Sequence, residues 1–399
     1  MLSLDKIKDC ANILKDITRA TDMIEAPALS SKNKIYLKTE NLQRTGSFKI
    51  RGAYCKISKL TDEEKSKGVI ACSAGNHAQG VALAAEHEGI SSIICLPDIA
   101  PISKIEATKK YGANIVRVNG VYDDAYNRAL EIQQQTGRTF IHPFDDIEII
   151  AGQGTVGLEI FEQLPEIDAV VVPIGGGGLI SGIAYTLKNL KPGIKVYGVQ
   201  ASGAPSMYNS IKNKEISELS SVSTIADGIA VKKPGIFTYD ICTKYVDDIF
   251  IVSDDEISTA ILTLIEKQKI ISEGAGAVAI AAVLFDKIPL KNKNVVCLVS
   301  GGNIDVTILS RVINRGLLKA GRTANLKIAL TDRPGQLRDV SRIIANLNAN
   351  VISIYHNRAD ENMPIDDCFL DLVLETRDHK HIEIIKKELI LEGFEIVNS

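Results

Sequence analysis

A chain of 399 residues with 45% hydrophobic and 24% charged residues is composed like an ordinary globular protein of about two or three domains. A formal charge of -3, with Lys and Arg scattered among Asp and Glu, offers no basic face to nucleic acid, and no apolar run approaches membrane-spanning length. The amino terminus lacks the apolar core of a secretory leader, and Cys10, Cys55, Cys72, Cys95, Cys242, Cys297 and Cys368 form no CxxC pair, so they read as buried, reduced thiols of a cytoplasmic protein.

The first predicted element is an amphipathic helix over about 4–20, with Ile7, Ala11, Leu14 and Ile17 at helical spacing, followed by a Pro-containing loop. A β-branched run at 34–37 leads to Thr45-Gly46-Ser47-Phe48-Lys49-Ile50-Arg51-Gly52-Ala53, where a lysine sits among small and apolar residues in a turn-to-helix context. An isolated lysine is usually a solvated charge. The predicted strand 69–72 ends directly in Ser73-Ala74-Gly75-Asn76-His77-Ala78-Gln79-Gly80. A small-residue turn that opens a helix exposes several backbone N–H groups, a seat for a carboxylate.

Further strands at 92–96, 114–118, 169–173, 195–199 and 294–299 alternate with helical segments, which predicts α/β layers around largely parallel sheets. The run 169–174 is almost wholly apolar, as a strand covered on both faces should be, and it stops at Gly175, Gly176, Gly177 and Gly178. Their N–H groups can close around a phosphate without side-chain obstruction. No Walker Lys-Ser/Thr follows them, and the spacing is not the first-turn GxGxxG of a dinucleotide fold, so a phosphate-bearing cofactor other than ATP or NAD fits better. A fourth strand end runs into Ser300-Gly301-Gly302-Asn303, which taken alone reads as a plain turn.

A helix over about 311–322 closes this rhythm, and the polar stretch Thr323-Ala324-Asn325 marks the expected domain boundary. Beyond it the pattern reads strand 326–330, loop, helix 336–347, strand 351–357, turn, strand 368–375, helix 382–392 and strand 394–397, a ferredoxin-like βαββαβ unit. His379 and His381 lie in a charged stretch that reads as solvated surface, and no His or Cys spacing suggests a metal.

Together the four strings resemble the fold-type II pyridoxal-phosphate (PLP) enzymes, whose catalytic fold is that of tryptophan synthase β, and the first two resemble those of threonine and serine dehydratases. The resemblance covers about residues 5–320 and implies a two-subdomain α/β catalytic domain over 1–322, with its small subdomain at about 40–145. It implies that Lys49 holds PLP covalently and acts with Ser73 in catalysis. Phe48 would flank the ring, Gly175, Gly176, Gly177 and Gly178 would hold the phosphate, Asn76 would bond the phenolic oxygen, and Ser300 the pyridine nitrogen. Ser73, Ala74, Gly75, Asn76, His77 and Gly228 would bind substrate. Glu273 would tune charge near the cofactor, although a helix cap is an equal reading.

What the resemblance implies for activity is deamination of threonine to 2-oxobutanoate, and of serine to pyruvate, in isoleucine biosynthesis or threonine catabolism. Serine racemases share the framework but resemble a pattern with Ser where this chain has Ala74. Enzymes of the cysteine synthase type usually carry Asp after the lysine, where Ile50 stands here. A third alternative is an amino-acid sensor on an inactive scaffold. Gln200 stands where the family often has a Glu that helps hold a metal, so no metal is assigned. The segment 326–399 resembles an ACT regulatory module, which implies an effector site from Asp332, Gly335, Gln336, Leu337, Asn350 and Val351 between paired modules of a homodimer or homotetramer, with a small amino acid as ligand.

Overall fold

The computed structural model describes residues 1–359 and 364–397, and the chain forms two compact units, Met1–Val306 and Thr307–Ser399. The described strands of the first unit are β1 Met23–Glu25, β2 Lys34–Lys38, β3 Val69–Cys72, β4 Ser92–Pro97, β5 Asn114–Val118, β6 Thr139–Phe140, β7 Ala169–Pro173, β8 Lys195–Ala201, β9 Asp248–Val252 and β10 Asn294–Leu298. The second unit contributes β11 Thr323–Thr331, β12 Asn350–Asn357, β13 Asp367–Glu375 and β14 Glu395–Val397.

A six-stranded sheet runs β1-β2-β10-β7-β8-β9 and is parallel except where β1 meets β2. A second sheet, β5-β4-β3-β6, is wholly parallel and is inserted in sequence between β2 and β7. Every residue of β7 is buried, because helices cover both faces and the chain must supply apolar side chains on each. The helices Ile147–Gln163 and Gly178–Leu190 approach at Gly182, where a Cβ would overlap the Ile150 carbonyl. The carboxyl ends of β3, β7 and β10 are where the three small-residue strings of the sequence begin.

In the second unit the order β12-β13-β11-β14 is antiparallel throughout, with one helix between β11 and β12 and another between β13 and β14. This is the predicted ferredoxin-like βαββαβ topology. Along β11 burial alternates, and Leu326, Ile328 and Leu330 join Val340, Ile344, Ile385 and Leu389 of the helices Gln336–Asn346 and His379–Leu391 in one core. Part of the predicted turn after β12 falls at 360–363, outside the described residues.

Several expectations are corrected. The first helix stops at Leu14, where i→i−3 bonds take over: Lys15 N donates to Asn12 O and Ile17 N to Leu14 O. The boundary falls earlier than 322. The helix Val306–Lys319 goes with the second unit, where Lys319 O meets His379 Nε2 and Gly321 O accepts from Thr376 Oγ1. Thr323, Ala324 and Asn325 are the first rungs of β11 rather than a linker. His381 is buried, with Nε2 at 2.8 Å from Leu347 O and Nδ1 accepting from Arg377 N. Cys10 and Cys55 are joined as a disulfide, so these two are not reduced thiols, whereas Cys72, Cys95, Cys242, Cys297 and Cys368 are free and buried. No helix among the described residues is long and apolar enough to cross a membrane.

Candidate active site

Lys49 opens the helix Lys49–Ser58 directly after a turn in which Thr45 and Gly46 take left-handed conformations (φ 66° and 74°). That turn lies along the end of β10: Ser47 bridges Gly301, and Phe48 N donates to Ser300 O at 3.2 Å. The Lys49 side chain is half-buried, donates to Pro143 O at 2.8 Å and stands 5.3 Å from the Phe48 ring centroid. Burial lowers its pKa to about 8, partly opposed by the charge of Glu273. A lysine so placed holds a much larger neutral fraction near pH 8 than a solvated one.

The turn after β3 leads into the helix Asn76–His87. Gly75 N donates to Ser73 Oγ at 3.1 Å, which folds the turn back on itself. His77 is buried with Nε2 at 2.8 Å from Ile141 O, and burial together with the nearby Lys49 lowers its pKa to about 3. A ring held neutral and tied to the backbone is a positioning group rather than a proton carrier. Asn76 Nδ2 donates to Glu273 Oε1 at 2.7 Å. Burial and then Asp227 raise the Glu273 carboxyl to about 7. Glu273 does precede the helix Gly274–Leu284, but its side chain makes no capping bond there.

The glycine string forms the third wall. Gly177 is left-handed (φ 99°) and precedes the helix Gly178–Leu190. Among the described residues the amides of Gly175, Gly176 and Gly177 donate to no other protein group, so a loop and helix terminus of unspent donors faces the cavity. A Cβ on Gly176 would overlap the Phe144 ring, and one on Gly178 would meet the Phe144 backbone. The sequence reading missed this partner, the segment His142-Pro143-Phe144-Asp145. Asp145 accepts from Ile236 N and Thr238 N, while Thr238 Oγ1 donates to Gly176 O at 2.6 Å. The available signal was a Pro followed by consecutive Asp residues, the second of which, Asp146, caps the helix Ile147–Gln163.

Phe48, Lys49, Ser73, Ala74, Gly75, Asn76, His77, Gly175, Gly176, Gly177, Gly178, Gly228, Glu273 and Ser300 all line one cavity of about 970 Å³. The free donors, the glycines crowded by Phe144 and the half-buried amine of lowered pKa fit PLP: a phosphate at one end and an aldehyde within reach of Lys49. Gln200 is wholly buried and spent on backbone groups, donating to Ile174 O and Ala204 O and accepting from Tyr208 N.

The expected effector residues do not converge within one chain. Asp332, Gly335, Gln336 and Leu337 follow the end of β11, where Asp332 pairs with Arg358 at 2.6 Å. Asn350 and Val351 begin β12 at the other end of the sheet, since Asn350 registers with Glu375 and Glu375 with Thr323. The nine-residue length of β11 puts the two groups about 27 Å apart.

The family model of pyridoxal-phosphate dependent enzymes matches residues 14–301. An L-threonine ammonia-lyase of Thermotoga maritima is 49% identical over 398 residues, covering 99% of either chain. Among solved structures, maize serine racemase superposes with a TM-score of 0.75 at 36% identity, over 80% of this chain and 98% of its own. The processed form of threonine deaminase isoform 2 from Solanum lycopersicum gives 0.74 at 40% identity, over 78% and 92%.

Proposed function

The chain belongs to the pyridoxal-phosphate dependent enzymes, and from that premise we propose that it deaminates L-threonine to 2-oxobutanoate and ammonia, and L-serine to pyruvate. The observation that carries the reading is the Lys49 amine, of lowered pKa and set in one cavity with the glycine loop and the 73–77 turn, in a chain that matches a threonine ammonia-lyase over its full length.

When bound, PLP supplies an electron sink conjugated to the substrate nitrogen. The work of the protein is to hold, orient and move protons. Gly175, Gly176, Gly177 and Gly178 would hold the phosphate through backbone N–H groups, and Asn76 would donate to the phenolic oxygen. Ser300 meets the pyridine nitrogen with a hydroxyl, which carries no fixed negative charge to hold a proton there. With PLP bound, such a neutral partner would suit β-elimination rather than amino-group exchange.

The amides around Ser73, Gly75 and His77 fix the substrate carboxylate, and the neutral Lys49 amine takes the α-proton. Ala74 has no proton to return to the opposite face. This supports elimination over racemisation in a fold shared with serine racemase.

For the second unit we propose an ACT-type regulatory role. The ferredoxin-like topology supports it, and the separation of Gly335 from Asn350 within one chain is consistent with an effector site shared between two copies in a homodimer or homotetramer. A small amino acid, isoleucine or valine, is the effector of choice, and the pathway role is isoleucine biosynthesis or threonine breakdown. A cytoplasmic setting belongs to the same reading.

The test is formation of 2-oxo acid from threonine and from serine, with and without isoleucine and valine, with chiral analysis of recovered serine. Turnover of threonine with a visible cofactor band is expected. D-serine as the main product, or colourless protein with added PLP, would overturn the reading.

A further inference from the structure

One side chain ties together three of the strings that build the cavity. Asn303, three residues after Ser300, donates from Nδ2 to Thr45 O at 2.6 Å and to Asn76 Oδ1 at 2.8 Å. It also fills the space over Gly46, where a Cβ would overlap its carboxamide. Asn303 is thus bonded to the Lys49 turn and to the Asn76 helix while belonging to the Ser300 loop.

The directions of these bonds are not interchangeable. Thr45 O is a backbone carbonyl and can only accept, so the nitrogen of Asn303 must face it. That nitrogen has two hydrogens, and the second reaches Asn76. The Asn76 oxygen is therefore the atom turned to Asn303, and its nitrogen is the atom turned to Glu273 at 2.7 Å, on a residue that lines the cavity. An Asn76 carboxamide released from Asn303 could rotate and present its oxygen to the cavity instead. Against an anionic phenolic oxygen, that exchanges attraction for repulsion.

We propose that Asn303 is a positioning residue for the cofactor: anchored on the Thr45 carbonyl, it fixes the Asn76 carboxamide so that an N–H, and not the carbonyl oxygen, faces the phenolic oxygen of PLP. The inference rests on the reading above that Asn76 meets that oxygen. It extends that reading by assigning the orientation to a residue outside the cavity lining, acting through a relay of two amides.

A donor on the phenolic oxygen withdraws charge from the pair it forms with the Lys49-linked nitrogen and makes that nitrogen easier to deprotonate. Loss of the donor moves the titration of the linkage upward. The experiment follows the visible absorbance of the holoenzyme against pH and the dissociation constant of PLP, in wild type, Asn303→Ala, Asn303→Asp, Asn76→Ala and the Asn76→Ala/Asn303→Ala pair.

The expected result for either Asn303 variant is a titration midpoint raised by about one pH unit and PLP held about tenfold more weakly, the size of one charge-assisted bond. The double variant is expected to match Asn76→Ala alone, since the two act in series. Asn303→Asp keeps the side-chain shape and gives the same readouts should Asn303→Ala fail to fold, with apoprotein melting temperature as the check. A wild-type profile in the Asn303 variants while Asn76→Ala shifts, or additive effects in the pair, overturns the inference. An Asn76→Ala variant with an unshifted profile overturns the underlying reading of Asn76 instead.

Discussion

Arg51 holds Glu40 through two parallel bonds, Nε to Oε2 and Nη2 to Oε1, each 2.8 Å, with both side chains buried. Arg51 lies two residues beyond Lys49, so this pair sets the base of the helix that presents the amine. Glu159 accepts from Arg51 Nη1 and from Lys38 Nζ, and Thr21 Oγ1 donates to Glu40, so the network is well satisfied although it is buried. Burial pushes the Glu40 carboxyl up, but Arg51 and Lys38 outweigh it and hold the pKa below the usual range.

Breaking this pair from one side leaves a buried charge without its partner, so Glu40→Ala and Arg51→Ala should each cost about 3–5 kcal/mol. Because the folded pKa of Glu40 is lowered, its stabilisation is present above the unfolded value, about 4.3, and is lost as pH falls through the folded value. Denaturant melts from pH 7 to pH 3 should show a shallower acid decline for Glu40→Gln than for wild type. Parallel curves would count against this assignment.

Lys49→Ala should abolish turnover and the visible cofactor band while leaving the far-ultraviolet spectrum unchanged. The neutral amine is the form that attacks the aldehyde, so with a pKa of about 8 the rate of PLP incorporation into apoprotein should climb through pH 8 and level off above it. Stopped-flow absorbance measures this. A rise centred near 10, the value of a solvated lysine, would show that the amine is not buried in solution.

Gly176→Ala forces the glycine loop and the Phe144 ring apart. Overpacking of this kind costs about 1–3 kcal/mol, which corresponds to PLP binding weakened about 5- to 150-fold. Shrinking the ring in Gly176→Ala/Phe144→Leu should recover part of the loss. Equilibrium dialysis of PLP checks both, and an unaffected Gly176→Ala variant would remove Phe144 from the account.

Truncation should discriminate between the two boundaries. Deletion from Asn325 onward strands the helix Val306–Lys319 and the first rungs of β11 without Thr376 and His379, their partners in the second unit. Deletion from Thr307 removes the unit whole. The shorter chain should therefore be the more soluble product and retain turnover without a response to isoleucine or valine. Better behaviour of the longer product would restore the later boundary.

Local signals decided much of this protein. An all-apolar strand ending in glycines, a small-residue turn opening a helix, and alternation along β11 each follow from spacing over a few residues, and they located the sheets, the ferredoxin-like unit and two walls of the cavity, whereas Lys49 and Ser300 were singled out by the family resemblance. What the sequence could not decide depends on groups brought together from far apart. Phe144 against Gly176, Pro143 O on the Lys49 amine, Asn303 between Thr45 and Asn76, and the Cys10–Cys55 bond all join residues whose separation in the chain carries no periodic signal. Burial acts the same way: only the packed interior strips water from Lys49 and Glu273 and moves both toward neutrality, and desolvation is a property of everything around a side chain rather than of its neighbours in sequence.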